Sequence, residues 1–165
     1  MTASVSIVDV AAYILAREST MVTLKLHKLT FYAQAAHLVR HASPLFPEDF
    51  HAWVVGPVSP ELYRLHRGKL LIRPGELPSG NPSALTHPTL YRERALIDRV
   101  CAAMGSMTHA ALSKRMYREL PWADVYARHT SSSLSHLMHL PIVTTDEIIT
   151  QEAMRDYYSE HQPIC

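Results

Sequence analysis

Any chemistry in this chain has to come from histidine, serine, cysteine or arginine, since these are the reactive side chains the sequence groups or isolates. His37 and His41 stand four residues apart in "HLVRH". On a helix that spacing can turn two imidazoles toward one metal ion. The glutamate of "HExxH" is missing between them, and no Cys/His cluster offers a third and fourth ligand. The expectation is therefore a protein with no metal site. Ser-His-Asp chemistry could be assembled on paper from eleven histidines, but no "GxSxG" elbow or dinucleotide fingerprint anchors it. Five glycines leave little material for a phosphate-cradling loop. Cys101 lies among apolar neighbours at helical spacing, which suits a packed thiol better than a nucleophile. Catalysis is the weaker class, so the chain reads as a non-enzyme without a cofactor.

The most uneven distribution of charge is "RLHRGKLLIR", where Arg64, Arg67, Lys69 and Arg73 follow one another with His66 and no carboxylate between them. One account places cations at a helix C-terminus, where the dipole favours them, followed by a solvated loop. The other is a docking patch for an acidic partner or a phosphate group. Trp53, Pro57 and Tyr63 lie close in sequence, and aromatic residues beside arginine make good interface anchors. The candidate partner-binding set is therefore Trp53, Pro57, Tyr63, Arg64, Arg67 and Lys69.

The elements that must position these residues read as helices separated by proline-rich punctuation. The stretch "TLKLHKLTFYAQAAHLVRHA", 23–42, is apolar around most of its circumference when projected at about 100° per residue. A helix of that kind belongs at the centre of a bundle. His27, Thr30, Gln34, His37 and His41 make a narrow strip that reads as partly wet, while Lys25, Lys28 and Arg40 can carry their charges out to water on long stems. Ser6 with Asp9 caps a first helix, and Thr23 reads as the cap of the second. Prolines 44, 47 and 57 make the next stretch irregular, with room for a short strand or two near Phe50–Val55. Ser59–Pro60–Glu61 supplies a cap, a first-turn proline and a first-turn acid for a short helix stopping near Gly68. Leu90, Ile97, Cys101 and Met104 line a helix stopped by Gly105; Thr108 caps a helix that ends before Pro121, and Thr150 caps a last one. Residues 74–88 and 129–141 read as long loops. Leu26, Leu29, Ala33, Ala36, Ile97, Leu112 and Trp122 are the expected core.

Size and composition agree with one mainly α domain spanning 1–165. A chain of 165 residues can bury a sizeable core, and 47% apolar against 19% charged residues excludes a disordered chain. A net charge of +1 gives no general drive toward nucleic acid or an anionic membrane. No run approaches the ~18 apolar residues of a membrane span, and the start lacks the basic residues of a signal peptide. With only Cys101 and Cys165, no structural disulfide is expected, and a cytoplasmic location is the simplest expectation. Sequence alone leaves the oligomeric state open.

Three segments in order, "DVAAYILA", "LKLHKLTFYAQAAHL" and "PLFPEDFHAWVVGPVSPELYRLHR", resemble the Panacea domain, the SocA-like antitoxin-associated family. The later "ALSKRMYRELPW" and "ITQEAMRDYY" look like its C-terminal segments, so the resemblance runs over about 5–158. Met116 and Tyr117 stand where the family often has Thr-His. The resemblance implies an antitoxin that binds a toxin encoded beside it and neutralises it by direct contact. It also leaves open an adaptor delivering the toxin to a protease, or a prophage-encoded accessory protein. A small hydrolase is the less favoured class. The family offers no catalytic residues to carry over. Its motif positions here, Lys28, Tyr32, Gln34, Trp53, Gly56, Pro57 and Tyr63, look at least as much like determinants of the fold as like contacts.

Overall fold

The computed structural model describes residues 5–132 and 146–164. Within them the chain folds as α1 (Ile7–Glu18), β1 (Met21–Val22), α2 (Thr23–His41), β2 (Phe50–Trp53), β3 (Gly56–Val58), α3 (Pro60–His66), β4 (Leu71–Ile72), α4 (Tyr91–Met104), α5 (His109–Met116), α6 (Leu120–Ser132), β5 (Ile148–Ile149) and α7 (Gln151–Glu160). Two antiparallel groups of short strands accompany the helices, β1 with β4 and β3-β2-β5. The architecture is mainly α; β2 lies where a strand was expected and β3 follows it, while β1, β4 and β5 were not expected.

Helix α2 is the axis. Fourteen of its nineteen residues are buried, and α1, α4, α5, α7 and β3 pack around it. The expected core residues Leu26, Leu29, Ala33, Ala36, Ile97, Leu112 and Trp122 are all buried. The strip along α2 is dry, which corrects the sequence reading: His27, Thr30, Gln34 and His37 are buried and only His41 reaches the surface in part. Each buried polar group has found a protein partner instead of water, as burial requires. Thr30 donates its hydroxyl to the His27 carbonyl at 2.8 Å. Gln34 donates Nε2–H to the Phe46 carbonyl at 2.8 Å, and its Oε1 accepts from the Leu45 N–H at 2.7 Å. One side chain thus satisfies the backbone of the proline-flanked turn at Leu45–Phe46.

Lys28 is likewise not at the surface. It is 1% exposed and donates Nζ–H to the Val55 carbonyl at 2.8 Å. That carbonyl lies in the turn between β2 and β3, and the hydrogen bond to it holds the ammonium inside. Gly56 completes the turn at φ 118°, and a Cβ there would lie 3.1 Å from the Lys28 ammonium. Both the backbone angle and the close approach require glycine.

Local signals place most helix starts. At α1 the Asp9 N–H donates to Ser6 Oγ and the Ser6 N–H donates to Asp9 Oδ2, a complete capping box. Thr108 and Thr150 accept from the third residue beyond them at α5 and α7. Thr23 does not cap α2. Its own N–H donates to the Leu70 carbonyl, and its hydroxyl donates to the Lys69 carbonyl at 3.2 Å. Pairing of β1 with β4 has already fixed the backbone ahead of the helix, so the hydroxyl is free to tie the incoming strand.

The stretch read as a loop over 74–88 is a packed strap against α1. It contains a 3-10 turn at Pro82–Thr86, with a second following at Pro88–Leu90. Leu77 and Leu85 are buried, and the Asn81 N–H donates to Asp9 Oδ1 at 3.1 Å. Of the second expected loop, 129–132 belong to the end of α6, and 133–141 lie outside the described residues. Pro121 stands in the first turn of α6, where a proline costs no intrahelical hydrogen bond, so a residue read as a stop also serves as a start. Gly105 ends α4 where a Cβ would overlap the Cys101 carbonyl and the Glu18 carboxylate, and Lys25 donates to its carbonyl at 2.6 Å.

Candidate partner-binding surface

The charged run sits on a short helix whose position is set from both ends. Ser59 Oγ accepts from the Leu62 N–H at 3.4 Å, and Pro60 and Glu61 fill the first turn of α3. At the other end His66 is buried against α2, its Nε2 2.7 Å from His27 Nε2. The Ser59 N–H donates to His27 Nδ1 at 3.2 Å, so His27 holds its proton on Nε2 and donates it to His66. Burial, then the neighbouring His66, push the His27 ring well below the ordinary histidine value. Burial lowers His66 as well. This pair is a neutral pin between two helices.

With His66 and Leu62 facing inward, α3 turns Arg64 outward, and Arg67 just beyond it is also exposed. Tyr63 is half-buried and meets the edge of the Trp53 ring at a centroid distance of 4.9 Å. Lys69 is exposed, with Nζ 3.7 Å from Glu76 Oε2, so an internal acid partly answers its charge. Pro57 belongs to a different group. It is buried in β3 opposite Ala52, which leaves it little surface to offer a partner. Leu70 and Leu71 were missed. They are 74% and 54% exposed beside Lys69, and they add apolar surface that the sequence reading absorbed into a charge run. The signal was present as two leucines between cations. The strand pairing that turns them outward was not.

The other family-motif positions hold the interior. Tyr32 and Tyr158 both donate their hydroxyls to Glu119 Oε1, the latter at 3.2 Å. Arg115 Nε lies 3.6 Å from Glu119 Oε2, and its guanidinium sits 4.9 Å from the centre of the Tyr32 ring. Burial first, then the carboxylate, raise both tyrosines far above their usual range. The cluster joins α2, the α5–α6 junction and α7. The Trp122 indole donates to the Trp53 carbonyl at 2.7 Å, tying α6 to β2.

These geometries bear on the chemical readings. His37 Nδ1–H donates to the Ser43 carbonyl at 2.6 Å, which leaves the Nε2 lone pair 3.9 Å from Glu93 Oε1, beyond hydrogen-bond reach. Among the described residues no group of three His, Cys, Asp or Glu side chains could hold a metal ion. Cys101 is buried, and burial pushes its thiol up to about 12, away from thiolate chemistry. No helix among the described residues is long and apolar enough to cross a membrane.

A family model described as "Antitoxin SocA-like, Panacea domain" matches residues 26–123, which is more than half of the chain. The match takes in most of α2, the strand hairpin, all of α3 and the start of α6. No curated protein and no solved structure matches the chain.

Proposed function

Because the chain belongs to the SocA-like antitoxin, Panacea domain family, we propose that it is a protein-binding antitoxin that neutralises a toxin encoded beside it by direct contact. It acts in this reading as a cytoplasmic partner of one toxin and not as an enzyme. The family match carries the proposal. The structure lends it support because four polar residues of the matched helix α2 are engaged in internal bonds. Gln34 and Lys28 bond backbone carbonyls, Tyr32 bonds Glu119 and His27 bonds His66, so these motif positions hold the fold and a partner meets the surface around them.

The contact surface in this reading is Trp53, Tyr63, Arg64, Arg67 and Lys69, joined by Leu70 and Leu71. Arginine can pair bidentately with a partner carboxylate while the neighbouring rings and leucines keep water away. Pro60 stiffens the entry to α3 and the His27–His66 pin holds its far end, so docking loses little chain entropy.

Co-expression with the adjacent reading frame tests the proposal. The neighbour alone should arrest growth, this chain should relieve the arrest, and the two should co-purify as a complex. Relief that comes only through reduced transcription of the neighbour, with no complex in solution, would end the direct-contact reading.

A further inference from the structure

We propose that a cleft between the end of α2 and the exposed face of α4 binds a small, multiply charged phosphate anion, of the kind carried by inorganic pyrophosphate or a nucleoside diphosphate. The cleft has a volume of about 290 Å³ and lies outside the α3 surface described above. Arg40 and His41 enter it from α2; Tyr91, Arg92, Ala95 and Arg99 enter it from α4. Positions 92, 95 and 99 fall on one helical face, and the small side chain of Ala95 leaves the room between the two arginines.

Three arginines therefore line one concavity, with Leu96 and Ala95 as its apolar floor and no carboxylate in its lining. Neither nearby acid of α4 lines the cleft, although Glu93 Oε2 is buried without a hydrogen-bond partner among the described residues. Glu93 faces His37 at 3.9 Å, while Asp98 accepts from the Tyr13 hydroxyl at 2.6 Å and pairs with Arg17 at 3.2 Å. Arg40 and Arg99 are exposed and make no hydrogen bond or ion pair within the described residues. Arg92 donates Nε–H to the Tyr91 hydroxyl at 2.9 Å and lies 5.5 Å from the centre of that ring, which leaves its two terminal nitrogens without a hydrogen bond among the described residues. Like charges held around a hollow repel one another until an anion enters, and one carrying a single charge would leave most of that repulsion in place. The planar guanidinium fork matches phosphate oxygens two at a time. A hollow, in contrast to a flat basic face, admits a compact ligand. Tyr91 is 54% exposed; Arg92 covers one face of its ring, and the other face is the one against which a nucleobase can stack.

Calorimetric titration of the full chain with inorganic pyrophosphate, and separately with ADP, tests the site. Saturable binding at one per chain is expected, falling at least tenfold in Arg40→Ala/Arg99→Ala with an unchanged melting temperature. Lys114→Ala/Arg118→Ala removes the same charge at exposed positions outside the cleft and should bind as the parent does. Should the cleft variant melt early, Arg92→Ala alone provides the same comparison. ADP binding more tightly than pyrophosphate, with the difference abolished in Tyr91→Ala, identifies a nucleotide as the source of the phosphates; equal affinity identifies the inorganic anion. Failure of both to saturate overturns the proposal, as does binding undiminished by the cleft variants. Binding confined to long acidic peptides overturns it too, and would make the cleft part of a protein-docking face.

Discussion

His27 and His66 lie 39 residues apart in the chain and meet Nε2 to Nε2 at 2.7 Å in the interior, holding α3 against α2. The pin works only while both rings are neutral, because two imidazolium ions cannot share one proton position or sit together away from water.

That requirement predicts acid sensitivity. Burial holds His27 well below its ordinary 6.5, and burial also lowers His37, His66 and His109. Below the unfolded value the unfolded chain binds protons that the native chain refuses, so stability is fully present above about pH 6.5 and is lost as pH falls beneath it. The melting temperature should drop steadily from about pH 7 to about pH 5. The drop should be shallower in His27→Gln, whose parent ring no longer titrates. An acid limb equally steep in that variant would separate the pin from the effect.

Lys28 predicts a change of the opposite kind at alkaline pH. Burial pushes its amine from 10.5 down to about 8. Between these values the unfolded chain keeps a proton that the native chain has released, so this residue's contribution grows as pH rises. Tyr13, half-buried and raised to about 12, acts the other way at higher pH. The informative quantity is therefore the difference between parent and Lys28→Met. The parent should gain on the variant from about pH 8 to about pH 10, and a constant difference in paired denaturant melts would contradict it.

Gln34 carries the turn that leads α2 into β2. Gln34→Ala strands the Leu45 N–H and the Phe46 carbonyl, both buried with their partner gone. At about 1–3 kcal/mol for each buried group left unpaired, the loss should be roughly 2–5 kcal/mol in chemical denaturation. Leu29→Ala, at a fully buried site on the same helix, should cost ~2–5 kcal/mol from lost transfer energy and the cavity left behind. A loss under about 1 kcal/mol at either site would mean that the interior around α2 yields.

Reversing Arg64 and Arg67 to glutamate should leave helicity and melting nearly intact, since both side chains project into solvent. Binding to the toxin should weaken strongly if they sit at a desolvated centre of the interface and only modestly at its rim. A folded double variant that still neutralises fully at unchanged expression takes α3 out of the binding surface.

Purified protein should carry no stoichiometric zinc, and its melting temperature should not respond to chelator. The His37 and His41 rings do approach, with centroids 4.6 Å apart, but among the described residues no third His, Cys, Asp or Glu completes a site with them. Elemental analysis that finds one zinc per chain would reverse this.

What the sequence determined by itself is what short-range physics controls. Ser6 with Asp9, Ser59 with Pro60, and Thr108 and Thr150 set helix starts because a cap and its donor lie within one turn. The apolar period made α2 central and picked out Leu26, Leu29 and Ala33 as core, because each helical face repeats at a fixed spacing. Tertiary structure decided everything that depends on a distant partner. Gln34 stays dry because Leu45 and Phe46 come to it, and His27 because Ser59 and His66 do. Lys28 stays inside because a turn between two strands places a carbonyl at the end of its stem. Thr23 turned from cap to tie once β4 arrived beside β1. Leu70 and Leu71 were exposed by the same strand pairing, and Arg40, Arg92 and Arg99 were gathered by the packing of α4 on α2. A polar side chain states in sequence only that it needs a partner. Whether water or another part of the chain fills that need is settled when long-range packing excludes one of them.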